Sequence, residues 1–264
     1  MIKKFGNLCN ILLICFFVLI SFNSNLLAEE SNITLLKNKW TFKGMFGKFD
    51  RGELRRGYQV YNEVCSGCHS IQFLSYRNLS EEGGPEFSLE DAKNIAASFE
   101  VLDGPNDDGE MYTRPGRLSD AFVKPYPNVK AAQAANGGAY PPDMSVLVKA
   151  RKGGADYIYS ILLGYDEPPT NFELEDGVYY NKYMQGNKIK MPNVLSDGIV
   201  IYADGTEATV QQMANDISSF LTWASEPSLE ARHRIGFKVL LYLIILAIFV
   251  YFSMKKIWLR IESK

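Results

Sequence analysis

Between Lys238 and Lys255 the chain runs for 16 residues, Val239 to Met254, without a charged side chain. A surface helix keeps one polar face toward water, and this run has none. Crossing a bilayer takes roughly 20 apolar residues, and about 17 at the least. Ile235 and Phe237 lengthen the run at one end, and Ile257, Trp258 and Leu259 at the other. Lys238 can reach the headgroups along its aliphatic stem. The expected architecture is a domain tied to one membrane helix at 235–258, with 259–264 as a short inner-side tail.

The opposite end has a different pattern. Lys3 and Lys4 precede an apolar run from Ile11 to Ile20, and Leu26-Leu27-Ala28 precedes Glu29-Glu30. A basic start, a short apolar stretch and a small residue before a polar sequence describe a secretory leader, expected here over 1–28. Export is expected to carry 29–234 to the outer, periplasmic face of the membrane and to leave the tail inside. The charge is split accordingly. From Glu29 to Ala231 there are 19 basic and 29 acidic residues, whereas from Arg232 onward there are seven basic residues against Glu262 alone. An acidic exported domain argues against nucleic acid and for a cationic partner.

Periodicity divides the exported part into mainly α structure with long irregular insertions. Leu54, Tyr58, Tyr61, Cys65 and Cys68 recur at helical spacing, which predicts one amphipathic helix over 51–69. Further helices are expected over 89–101, 131–135, 144–151 and 156–164. Pro115, Pro125 and Pro127 make 114–127 extended or turning. Asp204-Gly205 suggests a small hairpin over 200–206. Thr209 and Gln212 fit a capping box that opens a last soluble helix, with Val210, Met213, Ile217, Phe220, Leu221 and Ala224 as its apolar stripe.

Cleavage after Ala28 removes Cys9 and Cys15, leaving only Cys65 and Cys68. They lie in Cys65-Ser66-Gly67-Cys68-His69, a C-x-x-C-H sequence. Residues three and four apart share one face of a helix. Two thiols so placed can form thioethers to the two vinyl groups of one porphyrin, and His69 then lies under the iron. This is the attachment signature of haem c. A zinc site needs four ligands, and the one other histidine is His233, beside the membrane segment. A thioredoxin-like use needs a βαβ context, which the pattern lacks.

With His233 beside the membrane segment, His69 has no histidine partner, and the second axial ligand is expected to be a methionine, a pairing that raises the reduction potential. Met213 reads as core, Met254 as membrane-embedded and Met144 as packing. Met191 and Met184 both fall in the irregular stretch before the last helix. Pro192 disfavours helix at Met191 and stiffens the chain there, which favours Met191 and leaves Met184 open. Buried propionates need positive or hydroxyl partners, for which Arg151 and Tyr157 are candidates.

Taken together, these blocks closely resemble the cytochrome c1 family. Arg55-Arg56-Gly57-Tyr58-Gln59-Val60-Tyr61 runs into the C-x-x-C-H motif. Asp103-Gly104-Pro105-Asn106, Arg114-Pro115-Gly116 and Lys124-Pro125-Tyr126-Pro127-Asn128 follow. Then come Ala139-Tyr140-Pro141-Pro142-Asp143-Met144-Ser145, Ala150-Arg151 and Asp156-Tyr157, and finally Phe220-Leu221-Thr222-Trp223-Ala224 with Glu226-Pro227 before the anchor. The resemblance implies a c-type cytochrome domain on one C-terminal transmembrane helix, with Met191 as the sixth ligand. It also implies Arg151 and Tyr157 at the propionates, and Pro141 and Pro142 as haem-pocket wall. The family often has a small residue between this methionine and the next proline, whereas here Pro192 follows at once. An extra disulfide carried by some relatives cannot form with Cys65 and Cys68 as the only cysteines.

The same resemblance implies a working place. It is the dimeric bc1 complex, with cytochrome b and the Rieske iron–sulfur protein as neighbours and cytochrome c as acceptor. The chain is then an electron-carrying subunit rather than an enzyme by itself. A membrane-anchored haem peroxidase is the alternative and would need an open distal position. Asp103, Asp107, Asp108, Glu110 and Glu167 are the acidic residues expected to steer a cationic partner.

Overall fold

Asp50 starts the first helix of the described residues. Its side chain accepts a hydrogen bond from the Glu53 amide, and the residues from Arg51 to Val60 (α1) coil behind it. In the computed structural model, which describes residues 33–262, α1 buries Leu54, Gly57, Tyr58 and Val60. The expected leader 1–28 and the end of the tail, 263–264, fall outside the described residues. A single helix over 51–69 does not form. At Tyr61–Cys65 the helix widens into one π turn, closed by the Ser66 amide on the Tyr61 carbonyl at 2.8 Å.

Down the chain, a 3-10 turn at Tyr76–Ser80 precedes α2 (Leu89–Ala97). The helix expected over 89–101 stops at Ser98, because Glu100–Asp103 (β1) pairs antiparallel with Tyr112–Pro115 (β2), Glu100 opposite Pro115 and Asp103 opposite Tyr112. The helices α3 (Val129–Ala135) and α4 (Ala155–Leu163) follow. The stretch from Met144 to Arg151 is a run of turns rather than a helix. Gly153 and Gly154, at φ +97° and +59°, end it in backbone conformations that disfavour side chains. Two-residue strands Tyr179–Tyr180 (β3) and Lys188–Ile189 (β4) pair across a 3-10 turn at Gln185–Asn187. The 200–206 segment turns at Gly205 but makes no strand ladder.

The centre of the domain is α5, Val210–Ser225, packed by α1 and by α4. Thr209 caps it, its hydroxyl accepting from the Gln212 amide at 3.1 Å. Only half the expected box forms, since the Gln212 side chain donates forward to Asp216. Every residue from Ile217 to Ala224 is buried, so the helix meets protein on all sides. It crosses α1 at Gly57, where a Cβ would overlap the Asp216 carbonyl and lie 2.6 Å from the Phe220 Cβ. Phe220 stacks on Tyr61 and meets Tyr58 edge-on, with centroids 5.9 Å away in each case. Beside the crossing, Arg56 donates to the fully buried Asp216 carboxylate at 2.9 Å.

The final helix, α6, covers Leu229–Glu262, 34 residues. At about 1.5 Å per residue it is long enough for a hydrocarbon layer about 30 Å thick. By length and composition it is suited to one membrane crossing. Its first turn is fastened to the domain. The Glu230 carboxylate takes two hydrogen bonds from Arg51, at 2.6 and 3.0 Å, and one from the Phe49 amide at 2.9 Å.

Candidate functional site

The π turn delivers Cys65, Cys68 and His69 to one place. The amides of Cys68 and His69 both donate to the Cys65 carbonyl, at 3.1 and 2.9 Å. The two thiols and the imidazole therefore share a single tight turn. Neither cysteine is in a disulfide, and Cys65 is half-buried and Cys68 exposed. Burial pushes the Cys65 thiol up to about 12, with Cys68 adding to it. Space beside Gly67 is open, so protein packing does not itself demand glycine there.

His69 is buried, and its Nδ1 lies 2.8 Å from the Pro142 carbonyl oxygen. A carbonyl only accepts, so Nδ1 carries the proton and Nε2 keeps its lone pair. Burial lowers the imidazole's pKa and outweighs the contribution of the Pro142 carbonyl, which favours the neutral ring. The Pro142 segment is held in turn. Asp143 accepts from the Ser70 hydroxyl at 2.7 Å, the Gln72 amide at 3.1 Å and the Ser145 amide at 2.9 Å. The Met144 amide donates to the Ser70 carbonyl at 2.8 Å. Burial alone would raise the Asp143 carboxyl, but hydrogen bonds from Ser145, Ser70 and Gln72 hold it below its ordinary value. Pro142 is thereby held against the motif, although 73 residues separate it from His69.

Met191 is half-buried, and its carbonyl accepts the Tyr165 hydroxyl at 2.9 Å. Met184 is engaged differently, its sulfur 3.6 Å from the Tyr157 hydroxyl. Tyr157 and Met184 are thus brought together. Arg151 is exposed, with its guanidinium on the Ala150 carbonyl at 3.2 Å. No local spacing marks Tyr165 or Asp143, because the Tyr165 partner lies 26 residues away and two of the Asp143 partners about 70. An open groove of about 460 Å3 runs beside this region, lined by Tyr165, Glu167, Pro168, Tyr179 and Asn193 among others.

A mainly helical domain thus carries two thiols and a neutral-favouring imidazole on one turn, and leads into a helix long and apolar enough to cross a membrane. The Cytochrome C1 family model matches residues 40–261. "Cytochrome b/c1" of Bradyrhizobium diazoefficiens is 48% identical over 240 residues, covering 84% of this chain but 35% of that protein. "Cytochrome c1-2, heme protein, mitochondrial" of Solanum tuberosum is 50% identical over 199 residues, 75% of each chain. "Cytochrome b-c1 complex catalytic subunit, mitochondrial" of Candida albicans is 50% identical over 205 residues, 77% of this chain and 70% of that one. The chain thus spans about a third of the length of the Bradyrhizobium relative and most of the other two. It belongs to the cytochrome c1 family.

Proposed function

We propose that this chain is the electron-carrying haem subunit of a cytochrome bc1 complex. In this reading it accepts one electron from a Rieske iron–sulfur protein and passes it to cytochrome c on the outer face of an inner, energy-transducing membrane. It acts beside cytochrome b in a dimeric complex, as part of a quinol:cytochrome c oxidoreductase rather than as an enzyme by itself. The observation that carries the reading is the His69–Pro142 hydrogen bond, which leaves Nε2 as a lone-pair donor on the same turn that carries Cys65 and Cys68.

That donor set fits haem c, which when bound supplies a one-electron ferric–ferrous couple. Cys65 and Cys68 would tether it as thioethers. His69 Nε2 would bind the iron, with Pro142 fixing the tautomer and ring orientation as an outer-shell partner does at other metal sites. Met191 would supply sulfur to the iron. Met184 is the weaker candidate because its sulfur already faces the Tyr157 hydroxyl. Pro141 and Pro142 would wall the pocket, and Arg151 and Tyr157 would meet the propionates. Held by both His69 and Met191, the iron would be closed to substrate and water, which suits a relay rather than a peroxidase.

Of the acidic residues expected to steer a cationic partner, Asp103 is already committed, paired with Arg114, which also holds Asp120. Asp107, Asp108, Glu110 and Glu167 are exposed and remain for that role. The reading is tested with Met191→Leu. The expected result is loss of the sulfur-to-iron charge-transfer absorption, a lower reduction potential and new binding of carbon monoxide by the reduced protein. An unchanged spectrum and potential would move the ligand to Met184. Ready carbon monoxide binding by the wild type would favour the peroxidase.

A further inference from the structure

The turn between Trp40 and Phe49 carries two large apolar side chains that the domain does not cover. Met45 is 68% exposed and Phe46 75% exposed, whereas Trp40, Phe42 and Phe49 around them are buried. The turn is tightly closed. Gly44 sits at φ +92°, the Gly47 amide donates to the Gly44 carbonyl at 3.2 Å, and the Lys48 amide to the Thr41 carbonyl at 3.1 Å. A Cβ on Gly47 would overlap the Phe42 carbonyl. Met45 and Phe46 are therefore held outward at the tip of a pinned loop.

The loop lies against the start of α6. The Gly47 carbonyl is 3.3 Å from His233 Nδ1, and the Phe46 ring centroid is 6.3 Å from that of Phe237. Phe237 immediately precedes Lys238 and the charge-free run. The tip of the loop is thus level with the first apolar turn of the anchor. Lys48 follows it in sequence and Lys238 lies on the helix one residue past Phe237, while Lys43 and Arg234 are paired with Asp156 and Glu82. Aromatic side chains among basic residues are the composition that settles at the boundary between headgroups and acyl chains. Basic side chains at that depth meet anionic lipid. An uncovered apolar pair continuous with the anchor marks a contact surface, and its continuity with Phe237 picks lipid as the occupant.

We propose that Met45 and Phe46 insert into the headgroup–acyl boundary of the bilayer that α6 enters, giving the domain a second membrane contact that fixes its tilt. The inference rests on reading α6 as a membrane span. The test uses the full-length chain in its native membrane, with a photoreactive benzoyl-phenylalanine at position 46, 243 or 112 in turn. Leu243 reports the span, and Tyr112, exposed on β2, reports the aqueous surface. After irradiation, mass spectrometry is expected to find phospholipid adducts at 46 and 243 and several-fold fewer at 112. Position 45 serves in place of 46 if that chain does not accumulate with its haem. Lipid adducts at 243 but only polypeptide adducts, or none, at 46 and 45 would overturn the proposal and leave the span standing. No lipid adduct at 243 would overturn the span and the proposal with it.

Discussion

His69 and Met191, the two residues proposed to face each other across the haem, are carried by very different stretches of chain. The imidazole follows α1, where Leu54 and Val60 are fully buried and Phe220 packs between Tyr58 and Tyr61. Its hydrogen-bond partner Pro142 is held by a clamp of Ser70, Gln72, Asp143 and Ser145. The sulfur sits between 166 and 195, where the regular structure amounts to two two-residue strands and one 3-10 turn. That stretch hangs on a few points. Asn181, fully buried, donates to the Ile161 carbonyl at 2.8 Å, Leu195 is buried, and Tyr165 holds Met191. Regions with few buried contacts open first. The comparison teaches that one ligand is set by the core and the other by a handful of local bonds, so the sulfur side is the one that yields.

The sharpest way to break that contrast is at the core. Arg56→Met leaves the buried Asp216 carboxylate without its cation, an error that costs about 3–5 kcal/mol. Denaturant unfolding should register the loss as a drop in global stability. Adding Asp216→Leu should restore much of it, because a well-packed apolar pair replaces the ion pair. A near-neutral Arg56→Met would mean that the crossing of α1 and α5 does not carry the stability assigned to it.

A smaller change is expected on the other side. Tyr165→Phe removes only the hydroxyl that binds the Met191 carbonyl, which is worth about 1 kcal/mol. The loss should appear as easier displacement of the axial sulfur by added imidazole, with little change in the global unfolding midpoint. If both shift together, the sulfur side is not an independently opening unit.

The smallest effect concerns a strap outside both regions. Before α1, the chain lies over α4, with the Trp40 indole donating to Asp156 at 2.6 Å and the Leu36 amide to Ser160 at 2.9 Å. Burial would raise the Asp156 carboxyl, but bonds from Trp40, Lys43 and the Asn38 amide together hold it below its ordinary value. A depressed folded pKa means that the carboxylate's contribution is complete above the unfolded value of about 4 and fades as pH falls through the folded one. Melting temperatures of wild type and Asp156→Asn should therefore differ near neutrality and converge in acid. A gap that widens in acid would contradict this.

Much of the frame was legible locally. Thr209 announced the start of α5, and its stripe of Met213, Ile217, Phe220 and Leu221 is buried as its spacing requires. The thiols and His69 share a turn because three- and four-residue spacing leaves little choice. Other segments misled because distant partners decide them. Met144 to Arg151 has helical spacing, yet the Ser145 hydroxyl takes the Phe73 amide and the Met144 amide goes to Ser70, which fixes the chain in turns. Val101 continued a helical pattern, but pairing with Arg114 drew it into a strand. Asp103-Gly104-Pro105 through Gly109 was a turn signal strong enough to have suggested that hairpin. Tyr165 was hidden for the same reason, its partner being a backbone carbonyl 26 residues on.

The wide turn at Tyr61–Cys65 has a further consequence. In an α-helix each residue advances the direction of its side chain by about 100°. One π turn absorbs an additional residue, so the face that α1 turns toward Phe220 and the face that carries the thiols keep separate bearings. Were the same sequence to run on as an unbroken α-helix, Leu54 and Tyr58 would stay seated while Cys65, Cys68 and His69 swung round by roughly that same angle. The chain would still collapse around α5, but as a folded apoprotein unable to receive its porphyrin.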